Sequence, residues 1–408
     1  MLIRHLIFIS GALFLDSAFA QSSFEALVEK ALQKNADYSV SLKEKEAAQA
    51  RISGSYSTFY PSLNAVAGWE NRREDIEPAK GYLGYLRGQV NIFNGFKDQA
   101  GFRKTNSELM VKDANLEIKK RDVRLNVTEA VSEMLYLHGL QEIFKEEINL
   151  AQNQKQMAAK KISAGLTSSV DQIEFELRQD ELEIQKRRIE QAHLEIHQKI
   201  FRIFGEDLAD QEFEKIQFRT TVEIKKILQT AKIENNPYLK KAQGDIQASE
   251  LEKVTAKSEL IPRLDFEYAF GRITPSEATP LRYDESRVGI FLTIPLFSGF
   301  DSYYKVKSSN IIFAAREKEK IQVALNISSE FEILKEKIKE SLDLLQINQR
   351  KRTNAKKYFN MTLGEYKRGI KNSPDLVSAT ERFFEAEKQS YEIQKDLEIL
   401  STKLENLI

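Results

Sequence analysis

The sequence has 408 residues, and its 61 basic and 61 acidic side chains give a formal net charge of zero at pH 7. This balance argues against nucleic acid as a partner, because nucleic-acid-binding proteins present an excess of positive charge. The chain has no cysteine, which excludes disulfides, and its 30% charged residues with only 17 Gly and 8 Pro favour long solvated helices.

The first 20 residues have the pattern of a secretory signal peptide. Arg4 and His5 form a short basic start, residues 6–15 are apolar, and Ala18-Phe19-Ala20 matches an A-x-A cleavage site. The apolar run is too short to cross a bilayer as a helix, and no later stretch reaches the required length. We therefore expect an exported chain that begins near Gln21, carries no lipid anchor on cysteine, and crosses a membrane only with strands.

The remaining sequence repeats one plan with a period near 200 residues. Gly95 and Gly165 are 70 residues apart, and so are Gly299 and Gly369. We predict a first repeat over 21–220 and a second over 221–408. The matching motifs are Phe59-Tyr60-Pro61-Ser62-Leu63 with Leu260-Ile261-Pro262-Arg263-Leu264, Ile92-Phe93-Asn94-Gly95-Phe96 with Leu296-Phe297-Ser298-Gly299-Phe300, and the segments 165–171 with 369–375.

Each repeat is predicted to contain one very long helix. The two 70-residue stretches lack proline, and apolar residues such as Leu137, Leu140 and Phe144 recur at helical spacing. We expect helices at about 96–163 and 300–367, each roughly 100 Å long at ~1.5 Å per residue. A shorter helix is expected after each of the segments 165–171 and 369–375. The first ends at about 204, and the second runs to the C-terminus. An equatorial belt is expected from about 22–35, 205–235 and the C-terminal end.

A strand hairpin is predicted at about 62–93 in the first repeat and at about 263–296 in the second. Apolar and polar residues alternate along four runs, each about as long as a strand that crosses a membrane. Polar loops are expected at 71–84 and 272–285. Aromatic residues flank the strands, as in an interfacial girdle; they are Tyr56, Phe59, Tyr60, Tyr303 and Tyr304.

Four strands are too few to close a membrane barrel, which needs about eight, and open strand edges are not tolerated in lipid. Several protomers must therefore share one barrel. Two protomers would give eight strands and a filled interior, whereas three would give twelve strands and a lumen. The residues alone do not decide between these numbers.

The sequence resembles the TolC-like outer-membrane efflux family over about residues 22–408. The resemblance depends on the two Phe-x-Gly-Phe motifs before the long helices, on Asn-Pro-Tyr-Leu at 236–239, and on the turns at 165–171 and 369–375. It implies a mainly α protein with a membrane β-barrel: a homotrimer with four strands per protomer in a twelve-stranded barrel, continued by a long α-helical barrel in the periplasm. It also implies an outer-membrane channel for efflux or type I secretion, a passive conduit opened by a periplasmic adaptor and an inner-membrane RND or ABC pump.

The resemblance implies roles for residues at the two turns. Asp171 is expected to face Tyr366 and Lys371 in a contact that closes the periplasmic tip. Lys371 stands where family members often carry arginine, so the contact is expected to be looser. Asp375 matches an aspartate that lines the constriction, while a second acidic position is here Ser378, which predicts one acidic ring.

Adaptor docking is expected at the same turns. By resemblance, Gly165, Leu166 and Gly369 correspond to the tip grooves at which adaptors dock.

The tip aspartates also have a purely structural interpretation. Ser169 with Gln172 three residues later has the pattern of a capping box, and Ser373 before Pro374 has the pattern of an N-cap. A first-turn aspartate is favoured by the helix dipole in any case.

Two alternatives to a channel remain. His193 and His197 lie four apart, a spacing that can bind a metal ion, but the intervening glutamate is not placed as in a metalloprotease. We interpret His193 and His197 as surface histidines and His138 as a lone packed residue. We therefore expect that the protein is not an enzyme and has no cofactor. A periplasmic coiled-coil scaffold or adhesin would use the same helices without apolar strand faces. The sequence does not identify the cargo, which could be drugs, metal ions or unfolded polypeptides.

Overall fold

The computed structural model describes residues 24–72, 79–165, 169–213, 215–277 and 285–408. The predicted signal peptide lies outside these residues. Helix α1 covers 24–34. The other elements, in chain order, are α2 (Ala36–Ser55), β1 (Ser62–Arg72), β2 (Ala79–Phe93), α3 (Lys97–Ser163), α4 (Ser169–Phe204), α5 (Thr221–Thr230), α6 (Pro237–Ser258), β3 (Arg263–Ser276), β4 (Glu285–Thr293), α7 (Asp301–Lys367) and α8 (Ser373–Glu405).

The two long helices have equal lengths of 67 residues. Each follows a corner in which a glycine and a phenylalanine both have positive φ: 67° and 70° at Gly95 and Phe96, and 65° and 67° at Gly299 and Phe300. Positive φ is unusual for phenylalanine, because its Cβ crowds the backbone there. The same corner therefore turns the chain from strand to helix in both halves of the sequence.

The chain divides into two compact units. Unit 1 contains the described part of Met1–Ser39 together with Lys119–Asn236 and Ile327–Ile408, and unit 2 contains Val40–Ile118 and Pro237–Asn326. Each unit draws on both halves of the sequence, so the compact units are not the two predicted repeats.

Unit 2 contains a four-stranded antiparallel sheet with the order β1-β2-β3-β4. Its register places the alternating apolar residues of all four strands on one face, since Ala65 is opposite Leu86, Leu86 is opposite Phe270, and Phe266 is opposite Ile290. The other face is polar, and there the Asn91 amide donates to Asp265 at 3.0 Å. The predicted alternation is confirmed.

The strand boundaries differ from the prediction at three places, one of which is β3, which runs to Ser276 into the predicted loop at 272–285. β1 extends to Arg72 and β2 begins at Ala79, so the first polar loop is shorter than the predicted 71–84. β4 ends at Thr293 rather than near 296. Pro295 follows two residues later, and a proline cannot donate a hydrogen bond to a neighbouring strand.

Unit 1 contains the belt segments and three apolar cores, the third of which lies around Phe175 and Tyr366. In the first core, α1 packs through Leu27 and Ala31 against α3 and α4, and the segment after α4 adds Phe213. In the second, Ile224 of α5 packs with Leu397 of α8. None of the described helices combines the length and the hydropathy that a membrane-spanning helix needs.

Candidate functional site

The candidate site lies in unit 1, where α3 turns into α4 and α7 turns into α8. Both long helices end before a glycine with positive φ, 70° at Gly165 and 80° at Gly369. The N–H of Gly369 donates to the Tyr366 carbonyl at 3.0 Å, and that of Ile370 donates to the Glu365 carbonyl at 3.0 Å. This pair of bonds is a Schellman motif, which requires the left-handed conformation that glycine adopts most easily.

A buried hydrogen bond joins the two turns. Asp171, in the first turn of α4, is 9% exposed, and the Ser373 hydroxyl donates to its Oδ1 at 2.5 Å. The Ser373 backbone N–H is 3.4 Å from the same oxygen. The first turn of one helix is thus tied directly to the first turn of the other.

An apolar cluster surrounds this link. Tyr366, which is 1% exposed, makes an edge-to-face contact with Phe175 at 5.9 Å between ring centroids. The Lys161 ammonium lies 3.8 Å from the centre of the Tyr366 ring and donates to the Tyr366 carbonyl. Burial, with a smaller contribution from the charge of Asp171, raises the pKa of Tyr366 to about 12. The phenol is therefore neutral at physiological pH.

Lys371 and Asp375 form a second, more exposed contact. The Lys371 Nζ lies 3.5 Å from Asp375 Oδ2, and both side chains are more than a third exposed. The predicted partner of Lys371 was Asp171, and the buried partner that the structure gives Asp171 is Ser373. Sequence reasoning missed this serine because its sequence pattern matched a helix cap.

The predicted cap of α8 is wrong. The N-cap residue is Asn372, whose side-chain oxygen accepts from the Asp375 backbone N–H at 3.1 Å. Ser373 is fully buried inside the helix start and is used by Asp171 instead. In the predicted capping box of α4, the Gln172 amide donates to Glu176 one turn farther along the helix at 2.9 Å.

A buried ionic cluster that the sequence did not reveal lies farther along the same helices. Glu147 is 0% exposed, and it contacts both the Arg178 guanidinium and Lys388 Nζ, the latter at 2.9 Å. Arg178 also lies 2.9 Å from Glu181 and 2.9 Å from Glu381. Neighbouring carboxylates, Glu147 above all, raise the pKa of Arg178 against the opposing effect of burial. No single helix shows this cluster, because its members come from α3, α4 and α8.

The histidines are neither separate nor simply on the surface. The rings of His138 and His193 stack at 5.5 Å, and those of His193 and His197 lie 4.9 Å apart. All three side chains are partly buried. Burial lowers the pKa of His193, and the neighbouring imidazoles contribute in the same direction. The expectation of a lone packed His138 is therefore wrong.

The residues expected to dock an adaptor are only partly visible. Gly165 and Gly369 lie at the ends of the long helices, with no neighbouring atom within 4 Å of where a Cβ would lie. Leu166 lies outside the described residues. Docking at these positions stays a prediction.

Comparison with known families decides the class of protein. The family model described as outer membrane efflux protein matches residues 27–206 and 228–408, which is most of the chain. The chain belongs to the outer membrane efflux protein family. The two matched segments are of nearly equal length, one in each half of the sequence. Because the family is located in the outer membrane, the predicted resemblance and location are both confirmed.

Individual relatives of this family are distant in sequence but similar in fold. Outer membrane protein TolC of Vibrio cholerae is 18% identical over 399 residues, which are 94% of this chain and 90% of that protein. The structure of CusC covers 95% of this chain and 92% of its own, with 12% identity and a TM-score of 0.80. The Campylobacter jejuni CmeC outer membrane channel covers 94% and 85%, with 14% identity and a TM-score of 0.78. The mainly helical fold with four strands per chain is thereby confirmed.

The membrane-facing features expected for such a protein are present in unit 2. The apolar sheet face carries exposed side chains, including Leu63, Trp69, Val288 and Ile290. All five aromatic residues of the predicted girdle are exposed as well. The described part of the chain therefore presents a large exposed apolar face, as a membrane-embedded sheet does.

Proposed function

We propose that the chain is one protomer of a trimeric exit duct whose periplasmic end is held closed by the two tip turns. The observation that carries this proposal is the hydrogen bond between Ser373 and Asp171, which are 202 residues apart in the sequence. It ties the α3–α4 hairpin to the α7–α8 hairpin where both hairpins end. A tube made of such hairpins can widen at its end only if this link breaks or is displaced.

The buried link is the stronger of the two tip contacts. A hydrogen bond to a charged group contributes about 1.5–3 kcal/mol, and a buried carboxylate that loses its donor costs more. The half-exposed pair of Lys371 and Asp375 contributes on the order of 0–1 kcal/mol. We therefore assign the main closing role to Asp171 with Ser373 and Tyr366, and a supporting role to Lys371. Asp375 lines the constriction and favours cations.

The exposed apolar face of the sheet supports the shared barrel. Four strands per chain leave open edges at β1 and β4. Three copies would supply twelve strands, which close the barrel and leave a lumen for cargo. A periplasmic scaffold would have no use for this apolar face.

The duct is a passive conduit in this proposal. An inner-membrane pump of the RND or ABC class supplies the energy, and a periplasmic adaptor docks at the tip around Gly165, Leu166 and Gly369. The protein itself catalyses no reaction. Opening then follows from adaptor contacts that compete with the link between the turns.

Single-channel conductance in planar bilayers tests the gate. The double variant Asp171→Ala with Lys371→Ala should conduct more than the wild type, and Ser373→Ala should give part of that increase because it removes the same buried link. The control is Asp180→Ala, an exposed aspartate of α4, which should conduct like the wild type. Unchanged conductance in the double variant would show that these residues do not close the tip.

A further inference from the structure

The three histidines of the described chain lie together in unit 1. The sequence contains four histidines, and the fourth, His5, belongs to the predicted signal peptide. His138 lies on α3, whereas His193 and His197 are one turn apart on α4. Asp210 begins the short 3-10 turn Asp210–Glu212 that follows α4. Four potential ligands from three segments thus meet at one place.

The ligand atoms of these groups lie nearly as close together as the ligands of a bound metal ion. One ligand atom each from His138, His193 and Asp210 lies within 4.8 Å of the others. His197 does not belong to this group of three, but its Nε2 is 3.1 Å from Asp210 Oδ1, so it lies beside the group as a candidate fourth ligand. Tetrahedral zinc with bonds of about 2.0–2.1 Å separates its ligands by roughly 3.4 Å. Rotation of the side chains would have to bring the ligand atoms to these separations when an ion binds.

His193 supplies the observation that most favours a ligand. Its Nε2 atom is shielded from solvent and has no hydrogen-bond partner within the part of the chain that the structure describes. Buried polar atoms normally have a hydrogen-bond partner, so a buried imidazole nitrogen without one indicates that a ligand binds there. A metal ion bound by this nitrogen would satisfy it.

His197 is oriented as metal ligands usually are. Its Nδ1 lies 3.4 Å from Asp207 Oδ1, while its Nε2 points toward Asp210. A carboxylate on the far nitrogen of an imidazole fixes the tautomer and the ring orientation of a metal-bound histidine. Asp207 is therefore placed as an outer partner, and the inner nitrogen stays available.

We propose that His138, His193, His197 and Asp210 bind one divalent transition-metal ion, of which Zn²⁺ is the best match. Three imidazoles and one carboxylate suit zinc in tetrahedral coordination, and they disfavour Mg²⁺ and Ca²⁺, which prefer all-oxygen sites. The ion would fasten the turn Asp210–Glu212 to α3 and α4. This site has a structural role in the belt and is separate from the tip.

Metal binding is tested on the full-length mature protein in detergent, made without a polyhistidine tag and stripped of metal with a chelator. Equilibrium dialysis against Zn²⁺ should give one ion per chain. Co²⁺ as a spectroscopic probe should give the intense visible absorption of tetrahedral coordination. X-ray absorption of the zinc form should show three imidazoles. Substoichiometric zinc together with octahedral Co²⁺ spectra would overturn the proposal.

Variants locate the ion. His193→Ala and His138→Gln should each weaken Zn²⁺ binding at least 100-fold, and Asp207→Asn should weaken it about 10- to 100-fold because it loosens His197. The control is Asp113→Asn, which removes an exposed carboxylate of α3 that pairs with Lys45 at 2.6 Å, and its affinity should match the wild type. Wild-type affinity in His193→Ala would place the ion elsewhere and refute the site. If one variant fails to assemble, the other variant and the absorption spectrum of the wild type still decide.

Zinc should also slow amide exchange in residues 205–213, because an ion that binds only the folded segment opposes its local opening. Exchange in this segment that is the same with and without zinc would contradict the proposed fastening.

Discussion

The sheet of unit 2 and the tip region of unit 1 distribute their apolar and polar groups in opposite ways. The tip region means the two turns together with the adjoining parts of α3, α4, α7 and α8. In the sheet, large apolar side chains such as Leu63 and Ile290 are exposed on one face. In the tip region, polar and charged side chains such as Asp171 and Glu147 are buried and paired within the chain. The sheet thus presents its apolar groups to its surroundings, whereas Asp171 and Glu147 have polar partners within the chain.

The two regions should therefore respond to substitution in different ways. A charge on the apolar sheet face acts against lipid, so its effect appears at the level of membrane assembly. Removal of one partner at the tip leaves a buried group unsatisfied, so its effect appears in stability or gating of the assembled protein.

The largest effect is expected for Ile290→Lys in β4. Ile290 is 66% exposed and lies on the apolar face opposite Phe266. A lysine on a lipid-facing strand position costs about 2–4 kcal/mol near the middle of the bilayer, and it would be repeated in every protomer. Outer-membrane fractions should then contain little heat-modifiable oligomer of this variant, as judged by electrophoresis with and without boiling.

Gln89→Lys is the matched control for this experiment. Gln89 lies on the polar face of the same sheet, between Ser62 and Glu267 in the register, so a lysine there gains an acidic neighbour. It should assemble at close to the wild-type level. Equal assembly of both lysine variants would mean that the two faces do not differ as the comparison requires.

Arg178→Gln should produce the largest loss of stability in the tip region. The arginine is 8% exposed, and its removal leaves the fully buried Glu147 with Lys388 as its remaining cation. Removing one partner of a buried ion pair lowers the free energy of unfolding by about 3–5 kcal/mol. We expect a loss near the lower end of this range, because Lys388 still neutralises Glu147. Guanidinium unfolding followed by circular dichroism measures the change in free energy.

Arg187→Gln serves as its control, because Arg187 belongs to the same helix but has a side chain that is 75% exposed. Its exposed pairs with Glu183 and Glu190 should contribute less than ~1 kcal/mol. If the two glutamine variants lost similar stability, burial would not be what makes the Arg178 cluster important.

The smallest effect is expected for Tyr366→Phe, and it concerns pH. The folded-state pKa of Tyr366 is raised from 10.0 to about 12, so this residue's contribution to stability is fully present below pH 10 and is lost as the pH rises through 12. The phenylalanine variant cannot titrate there and should lack that part of the alkaline loss. In an ultraviolet titration, the difference between wild type and variant should show one tyrosinate that forms near pH 12. A difference spectrum that already develops near pH 10 would contradict the burial of this phenol.

Much of the fold could be predicted because it depends on local pattern. Proline-free stretches that end at Gly165 and Gly369 fixed the long helices to within about a residue, and strand alternation fixed the faces of the sheet. Pro295 was present in the sequence to mark the end of β4, but the apolar alternation continued past it and favoured a longer strand.

The side-chain partners could not be predicted in the same way. Asp171 with Ser373, and His138 with His193, depend on how helices far apart in the sequence are rotated against each other. Helical periodicity shows which face of a helix is apolar, but it does not show which residue of another helix lies opposite. The family resemblance pointed to Asp171 and Tyr366 at the two turns without revealing the serine.

The central claim is that the exposed apolar sheet of one chain is completed by other copies in the outer membrane. The most direct test is the mass of the complex that mild detergent extracts from outer membranes, measured by native mass spectrometry. We expect a complex of three chains. A monomer that is recovered from the periplasm without detergent would contradict the shared barrel and, with it, the duct.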